Sequence, residues 1–266
     1  MSPKEGPGAV ALPSWSAFDT DHFAGRVVLV TGAASGMGRE VALAFAALGA
    51  RTALLDRDGG ALEGVHREVP GSIPLVADVT DAEAVAAAYR VIDEECGRLD
   101  HLAHCAAVIT ASRTLDVDTA HWRRVLDINL VGSFLVAKEA LRRMNQVKRG
   151  TIVLVASDAG FRGGGGLIAD APYAASKAGV LSLVKSLARE FADSGVRVNA
   201  LVPGPTDTPM HGEVGADLKE RIASQIPLGR MGHVADMAAA IVFLSSTAAS
   251  FVYGTALDVD GGSMLR

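Results

Sequence analysis

The stretch RVVLVTGAASGMG, residues 26–38, runs from a short β-branched segment straight into a turn that holds three glycines. Gly32, Gly36 and Gly38 suit a backbone that turns sharply and approaches a ligand with no Cβ atom in the way. Residues 37–48 then have helical period, and the free N–H groups of a helix N-terminus can bind phosphates. The spacing G-x3-G-x-G leaves two interpretations open: a phosphate-binding turn, or an ordinary connection rich in glycine.

Six further short apolar runs alternate with stretches of helical period along the rest of the chain. Because the runs are almost continuously apolar, we expect strands that are covered on both faces. The alternation predicts an α/β fold, with one doubly wound parallel sheet of about seven strands and helices on both faces. Ligands of such a sheet bind at the carboxyl ends of its strands. The predicted strands are 26–31, 51–56, 73–78, 99–105, 151–157, 196–202 and 255–260, and the predicted helices are 37–48, 60–68, 82–97, 117–146, 173–194 and 234–246.

Composition and charge exclude several classes of protein. Of the 266 residues, 49% are hydrophobic, which is ample for a core, and the prolines and glycines at the start predict a flexible leader over 1–24 before a single domain over 25–266. A net charge of −5 with no basic cluster argues against a nucleic-acid surface. No apolar run approaches the ~18 residues that span a bilayer. Cys96 and Cys105, the only cysteines, form no CxxC motif, so we expect a reducing, cytoplasmic setting.

Two aspartates follow predicted strands, at the edge of the sheet where a ligand would bind. Asp56 comes 18 residues after Gly38, and a carboxylate there can accept hydrogen bonds from the adenosine ribose of NAD and repel the 2′-phosphate of NADP. The neighbouring Arg57 can reach such a phosphate, and a solvated loop aspartate is the alternative. Asp78 can bind the adenine, cap the helix that follows, or do both.

Tyr173 and Lys177 stand four residues apart in APYAASKAG, residues 171–179, so they share one face of a predicted helix. An unperturbed tyrosine has a pKa of about 10, too high for an efficient base at neutral pH. A nearby ammonium favours the phenolate and lowers that pKa. Taken alone, the spacing is equally typical of a surface helix.

Together these motifs resemble the short-chain dehydrogenase/reductase family, from roughly Ala24 to the end of the chain. The resemblance rests on TGxxxGxG after the first strand, an aspartate ending the second, and YxxxK. It extends to INLVG (128–132), VASDAG (155–160), VPGPTDTPM (202–210) and DVDGG (258–262). It implies a Rossmann-like fold, an oxidoreductase and a nicotinamide cofactor.

The resemblance also implies the roles of individual residues. Tyr173 would exchange a proton with the substrate oxygen, Lys177 would lower its pKa and bind the nicotinamide ribose, and Ser157 would hold the substrate oxygen. Asn129 would hold a water that links Lys177 to solvent. Asp56 favours NAD as the cofactor. The implied cofactor-binding residues are Gly32, Ser35, Gly36, Met37, Gly38, Asp56, Arg57, Asp78, Val79, Cys105, Ala106, Ala107, Tyr173, Lys177, Pro203, Gly204, Thr206 and Thr208.

The chain departs from the family pattern at two places. The fourth strand ends in His104, Cys105, Ala106 and Ala107 where the family has a motif similar to N-N-A-G. Cys105 is a poor replacement for an asparagine that ties central strands together, and we expect His104 to be a packed residue. The segment between Ser157 and Tyr173 is longer than usual and carries four glycines, 163–166, which predict either a mobile rim or a plain surface loop. The candidate substrate-pocket residues are Phe161, Arg162, Leu167, Met210 and His211, beside a helical segment over 214–225 that looks like the family's lid.

The function that the sequence favours is NAD-dependent interconversion of a small secondary alcohol, of the sugar, polyol or cyclic diol class, and its ketone. A 3-oxoacyl-thioester (acyl carrier protein) reductase is one alternative. A non-catalytic NAD-sensing regulator is another, against which the complete set of catalytic residues argues. The family is commonly tetrameric, so we expect a homotetramer or a dimer. No cluster of histidines, cysteines and carboxylates predicts a metal site, and no partner beyond the small-molecule substrate is expected.

Overall fold

A computed structural model describes residues 19, 21–164, 169–208 and 215–265. Within them the chain forms nine strands and nine α-helices in strict alternation over most of its length. The strands are β1 (Val27–Thr31), β2 (Arg51–Asp56), β3 (Ile73–Val76), β4 (His101–His104), β5 (Gly150–Val155), β6 (Val196–Pro203), β7 (Thr206–Asp207), β8 (Gly232–His233) and β9 (Ala256–Val259). The helices are α1 (Gly36–Ala47), α2 (Gly59–Glu68), α3 (Ala82–Cys96), α4 (Thr119–Leu126), α5 (Gly132–Met144), α6 (Ala159–Arg162), α7 (Ala171–Glu190), α8 (Ala216–Ala223) and α9 (Val234–Ser245).

Seven strands form one parallel sheet in the order β3-β2-β1-β4-β5-β6-β9. The strand order reverses between β1 and β4, which is where ligands bind in sheets of this kind. The predicted parallel sheet of about seven strands, with helices on both faces, is therefore confirmed. A separate pair of short strands, β7 and β8, was not predicted. At two residues each, these strands are too short for any periodicity to be detected.

The two faces of the sheet are buried in separate hydrophobic clusters. One cluster includes Leu29, Leu102 and Ile152 together with side chains from α3, α5 and α7. The other includes Val30 and Val153 with side chains from α1, α2 and α9. Alternate residues of one strand therefore serve opposite faces, which explains why the strands are apolar almost without interruption.

The predicted helix over 117–146 is divided in the structure. A π-helical turn, Asp127–Val131, separates α4 from α5 and contains Asn129. The amphipathic pattern continues across such a bulge, so periodicity alone did not reveal it. Bulges of this kind occur often at functional sites.

The last residues of the segment predicted as a leader, 1–24, pack against the rest of the chain. Phe23 is 1% exposed, and its ring packs edge-on against Phe45 at a centroid distance of 5.0 Å. Its backbone N–H also donates to the carbonyl of Leu48. Residues 21–24 therefore belong to the packed structure. None of the helices within the described ranges is long and apolar enough to cross a membrane.

Candidate active site

One large cavity, of about 1260 Å³, opens at the carboxyl ends of the parallel strands. It runs from the glycine turn after β1, past the ends of β2 and β4, to Ser157, Tyr173 and Lys177. The sheet thus brings together segments that lie far apart in sequence, as the strand order predicts.

The glycine turn adopts a shape that side chains would not allow. Gly32 and Gly36 have φ values of +66° and +53°, in the left-handed region that glycine populates readily. A Cβ atom on Gly32 would lie 2.8 Å from the backbone nitrogen of Ala106, and one on Gly38 would collide with the carbonyl of Gly32. Ser35 is the N-cap of α1 but makes no capping bond with its side chain. The Ser35 side chain therefore leaves the N–H groups of the first turn of α1 uncapped, and this turn lines the cavity, as a phosphate site requires.

Asp56 is fixed at the end of β2 beside this turn. Its carboxylate accepts hydrogen bonds from the backbone N–H of Ala34 at 3.0 Å and of Asp58 at 3.1 Å. These bonds hold a negative charge on the cavity wall. Arg57 lies near Asp78 and helps to hold the pKa of that carboxyl below its usual range, although the backbone N–H of Thr80 contributes most to the lowering.

Asp78 and Val79 follow β3 on the same wall. The Asp78 carboxylate accepts hydrogen bonds from the backbone N–H of Thr80 at 2.9 Å and from its hydroxyl at 2.8 Å. The cap of α3 is not Asp78 but Asp81, which accepts from the N–H groups of the first turn. The capping alternative for Asp78 is therefore wrong.

Tyr173 and Lys177 lie on α7 and face the cavity from deep positions, 8% and 3% exposed. The Lys177 Nζ atom is 5.8 Å from the centroid of the Tyr173 ring and donates a hydrogen bond to the carbonyl of Val155 at 2.8 Å. Burial raises the pKa of Tyr173 to about 12, with a smaller opposing effect from its hydrogen bond with Ser157. Burial lowers the pKa of Lys177 to about 8. The expected lowering of the Tyr173 pKa is thus reversed in this structure, because burial raises the pKa by more than the bond with Ser157 lowers it, and the Asp158 charge raises it further.

Ser157 follows β5 and faces the same part of the cavity. Its hydroxyl donates to the Asp158 carboxylate at 3.1 Å and accepts from the backbone N–H of Ala159 at 3.2 Å. Asp158 is not among the residues predicted from the sequence to form the site. Burial raises the pKa of this carboxyl, while the Ser157 hydroxyl and the Arg162 guanidinium oppose the rise.

Asn129 lies behind the cavity wall and is fully buried. Its amide oxygen accepts from the N–H of Val108 at 2.8 Å, and its amide nitrogen donates to the carbonyl of Val108 at 2.9 Å and to Ser176 Oγ at 3.0 Å. Ser176 in turn donates to the carbonyl of Tyr173 at 2.7 Å. The Asn129 side chain therefore joins the segment after β4 to the helix that carries Tyr173 and Lys177.

At the end of β4 the sequence departs from the family pattern, and other side chains make the link between strands there. The Thr31 hydroxyl lies 2.8 Å from His104 Nδ1 and accepts from the N–H of Ala106 at 3.2 Å, so side chains still join β1 to β4. His104 is buried and packed, and burial lowers its pKa to about 3. Cys105 is also buried, with a pKa raised to about 12. The histidine, and not the cysteine, makes the link between these strands.

A second buried carboxylate holds the start of α7, and sequence reasoning missed it. Asp170 accepts hydrogen bonds from the N–H of Tyr173 at 3.1 Å and from the Thr110 hydroxyl at 2.8 Å, and it pairs with His121 Nε2 at 3.1 Å. An N-cap signal immediately before the APY sequence was available to identify it. Only the structure reveals its contacts with α4 and with the segment after β4.

Most residues of the predicted site line the cavity. Among those predicted to bind cofactor, Thr206 lies off the wall and donates its hydroxyl to the carbonyl of Gly204 at 2.9 Å. Of the substrate-pocket candidates, Arg162 lines the cavity and Phe161 does not, while Leu167, Met210 and His211 fall outside the described residues. The residues on the wall are Gly32, Ser35, Gly36, Met37, Gly38, Asp56, Arg57, Asp78, Val79, Cys105, Ala106, Ala107, Ser157, Arg162, Tyr173, Lys177, Pro203, Gly204 and Thr208.

The glycine run is described only in part. Gly163 has a φ of +76°, and a Cβ atom on Gly164 would collide with the carbonyl of Ala169. Both positions therefore need glycine for steric reasons. Positions 165 and 166 lie outside the described residues.

Comparisons with known proteins agree with this geometry. A family model described as enoyl-(acyl carrier protein) reductase matches residues 32–264. Cis-4-hydroxycyclohexanecarboxylate dehydrogenase of Sinomonas cyclohexanicum is 41% identical over 91% of this chain and 98% of its own. The 2-dehydro-3-deoxy-L-rhamnonate dehydrogenase (NAD(+)) of a Sphingomonas species is 38% identical over 91% of this chain and 96% of its own. The crystal structure of a short-chain type dehydrogenase/reductase from Mycobacterium marinum has a TM-score of 0.87 and 32% identity, covering 94% of this chain and all of that one.

The fold, the glycine turn and these matches define an oxidoreductase of the Rossmann-like class. The chain belongs to the short-chain dehydrogenase/reductase family, whose members use NAD or NADP.

Proposed function

We propose that the protein is an NAD-dependent dehydrogenase that interconverts a small secondary alcohol and its ketone. The observation that carries this proposal is that Ser157, Tyr173 and Lys177 meet at one end of a cavity whose other end is the glycine turn. A cavity of about 1260 Å³ has room for a dinucleotide and a small substrate together. The names of the two relatives, one a hydroxycyclohexane acid and one a sugar acid dehydrogenase, support an alcohol or ketone substrate of modest size.

The residues present fit a dinucleotide. The close approach of Gly32 to Ala106 and the open first turn of α1 form a cradle for a pyrophosphate, which side chains at these glycines would fill. When bound, NAD accepts or supplies a hydride at C4 of its nicotinamide ring. Lys177 would hold the nicotinamide ribose.

The preference for NAD rests on Asp56. Two backbone N–H groups orient its carboxylate, and acceptor positions remain for ribose hydroxyls. A 2′-phosphate at the same place would meet a fixed negative charge. The position of Arg57 near Asp78 reduces its availability to neutralise that phosphate.

Proton exchange is the task of Tyr173. In ketone reduction its phenol, with a pKa of about 12, is fully protonated at neutral pH and can donate to the developing alkoxide. In alcohol oxidation it must ionise, and the positive charge of Lys177 then stabilises the phenolate. The Ser157 hydroxyl would hold the substrate oxygen beside the phenol.

Asn129 acts in this scheme mainly by position. Its amide makes three hydrogen bonds, with Val108 and Ser176, which leave one lone pair of the amide oxygen open for the water predicted for the proton relay. The backbone carbonyl of Asn129 accepts from the Ser133 hydroxyl at 2.6 Å.

A 3-oxoacyl-thioester reductase is the second candidate, and it is favoured by the name of another relative, a 3-oxoacyl-[acyl-carrier-protein] reductase of Thermotoga maritima that is 35% identical over 91% of this chain and 98% of its own. A long apolar acyl chain would leave the open acceptor position of the Asp158 carboxylate, at the substrate end of the cavity, without a hydrogen bond, which costs free energy. An NAD-sensing regulator without turnover would not need the paired Tyr173 and Lys177.

The proposal includes assembly into a homotetramer or a dimer. Two apolar side chains near the start of α5, Val131 and Phe134, are 42% and 43% exposed and could be covered by a second copy of the chain.

The test is NADH formation with a panel of secondary alcohols, polyols and hydroxy acids, and NADH consumption with the matching ketones. A 3-oxoacyl thioester is included in the same panel. We expect turnover of alcohols or ketones, and its loss in Tyr173→Phe. Exclusive use of the thioester would establish the second candidate, and NAD binding without turnover of any compound would favour the regulator.

A further inference from the structure

Asp158 places a carboxylate inside the cavity. Neither the proton transfer nor the hydride transfer of the proposed reaction requires it. Its backbone N–H donates to the carbonyl of Pro203 at 3.0 Å, which ties the end of β5 to the end of β6. Its side chain is 17% exposed and lines the cavity next to Ser157. The position of this carboxylate is therefore fixed by the ends of two central strands.

The contacts of this carboxylate leave part of it open. One oxygen accepts from the Ser157 hydroxyl at 3.1 Å, and the other accepts from Arg162 Nη1 at 3.3 Å. Arg162 also donates to the Ser263 hydroxyl at 3.0 Å, so it is shared between two acceptors. A carboxylate offers about four acceptor positions. The backbone N–H of Ala159 also bonds to this carboxylate, so about one position remains for a ligand in the cavity.

A negative charge at this place disfavours the ionisation of Tyr173 that alcohol oxidation requires. It raises the pKa of Tyr173, and Asp260 adds further negative charge close by. Arg162, whose side chain is 54% exposed, neutralises it only in part. A hydrogen-bond donor of the substrate would replace a hydrogen bond to water that the Asp158 carboxylate loses on burial.

We propose that Asp158 binds a second hydroxyl group of the substrate, on the carbon next to the one that is oxidised or reduced. This inference rests on the proposed function, in which Ser157 holds the reacting oxygen. The Asp158 oxygen lies 3.1 Å from the Ser157 hydroxyl, and oxygens on neighbouring carbons are separated by about the length of a hydrogen bond. One oxygen can thus lie on Ser157 while the next donates to Asp158. Substrates of this class are vicinal diols and the α-hydroxy ketones formed from them.

A hydroxyl fits this position better than an ammonium group does. Arg162 already supplies a positive charge 3.3 Å from the carboxylate. A second cation would be repelled by that guanidinium, whereas a neutral donor would not.

The experiment compares two isomers, cis-1,2-cyclohexanediol and cis-1,4-cyclohexanediol, with NAD as the acceptor. They differ only in the position of the second hydroxyl, so their kcat/KM ratio isolates the predicted contact. For the unmodified protein we expect the 1,2-isomer to be preferred by about tenfold or more, as for a hydrogen bond to a charged group. Cis-2-aminocyclohexanol, which replaces the second hydroxyl with an ammonium, should be used less well than the 1,2-diol.

Two variants and one control test whether Asp158 causes the preference for the 1,2-diol. Asp158→Ala should bring the ratio of the two diols close to one, and Asp158→Asn, which keeps an acceptor oxygen, should retain part of it. Asp207→Asn removes a carboxylate from the same cavity, paired with Lys219 at 2.8 Å, and should leave the ratio unchanged. NADH binding and the thermal unfolding midpoint establish that each variant is folded. If Asp158→Ala fails to fold, Asp158→Asn decides alone.

The outcomes separate the two levels of the proposal. An unchanged diol ratio in a folded Asp158 variant overturns the contact and leaves the proposed function standing. If the unmodified protein prefers the 1,4-isomer or the amino alcohol, the contact is likewise overturned and the proposed function still stands. No turnover of any alcohol or ketone by the unmodified protein would instead overturn the proposed function, and this inference with it.

Discussion

Replacing Asp56 with asparagine should weaken the preference for NAD over NADP, mainly by improving the binding of NADP. The substitution removes the negative charge but keeps an oxygen that can accept from the N–H of Ala34, now 3.0 Å away. Serine, a shorter side chain, would lose this bond and disturb the glycine turn as well. Asparagine is thus the cleaner test of charge.

The expected magnitude follows from two contributions. A hydrogen bond from a ribose hydroxyl to a carboxylate contributes roughly 1.5–3 kcal/mol. Repulsion between unit charges about 4 Å apart is about 1 kcal/mol at the dielectric constant of water, and a phosphate carries roughly −1.5 to −2 charges. The sum is about 3–5 kcal/mol before salt screening. Arg57 lines the same cavity and can offset part of it. We therefore expect a preference for NAD of at least about tenfold, equivalent to about 1.4 kcal/mol.

The measurement is a fluorescence titration with NADH and NADPH at fixed ionic strength, which needs no knowledge of the substrate. In Asp56→Asn the ratio of the two dissociation constants should fall by about tenfold. Asp58→Asn is the matched control, because it removes a nearby charge while asparagine still caps α2. It should change the ratio less. Equal or tighter binding of NADPH by the unmodified protein would refute the assignment of Asp56.

Three further predictions concern the catalytic end of the cavity. Tyr173→Phe should leave NADH binding intact and lower kcat by about 10²–10⁴-fold, and activity within a few-fold of the parent would exclude Tyr173 as the acid–base group. Asp158→Asn should lower the Tyr173 pKa by removing a neighbouring negative charge, so the rise of the alcohol-oxidation rate with pH should move to lower pH. The pKa of Lys177 is about 8 in the folded protein, against 10.5 for an ordinary lysine. Between these two pH values the unfolded chain binds a proton that the folded protein does not, so the free energy of unfolding rises with pH. Lys177→Met should therefore raise the thermal unfolding midpoint most below pH 8, and a gain that is constant up to pH 10.5 would contradict this.

The sheet could be predicted because its signal is repeated and local. Each of the seven strands of the main sheet is a short apolar run, helical stretches separate successive runs, and one rule of handedness and packing governs them all. Strand ends were less predictable. The apolar run over 99–105 continues one residue past the end of β4 at His104, because Cys105 is buried and its backbone N–H still donates to the carbonyl of Thr31 in β1.

Side-chain interactions between distant segments could not be predicted in the same way. The contact of Thr31 with His104 joins residues 73 positions apart, and that of Asn129 with Ser176 joins residues 47 apart. The sequence identifies each residue type but contains no signal that they meet. Asp158 was missed for a related reason. An aspartate after a strand is common, and only the buried position beside Ser157 makes it unusual.

Ionisation is the property on which sequence and structure differ most, and the reason is burial. The spacing of Tyr173 and Lys177 correctly indicates a shared helix face, and from that face alone the ammonium should lower the pKa of the phenol. Both groups, however, lie at the bottom of the cavity, where burial favours the neutral form of each: the pKa of the tyrosine rises to about 12 and that of the lysine falls to about 8. A phenolate and an ammonium that form together stabilise each other more strongly in such surroundings than in water. The pair should therefore ionise as a unit, so that either residue without the other is a poor base, and the loss of activity in a Tyr173 and Lys177 double variant should be far smaller than the product of the two single losses.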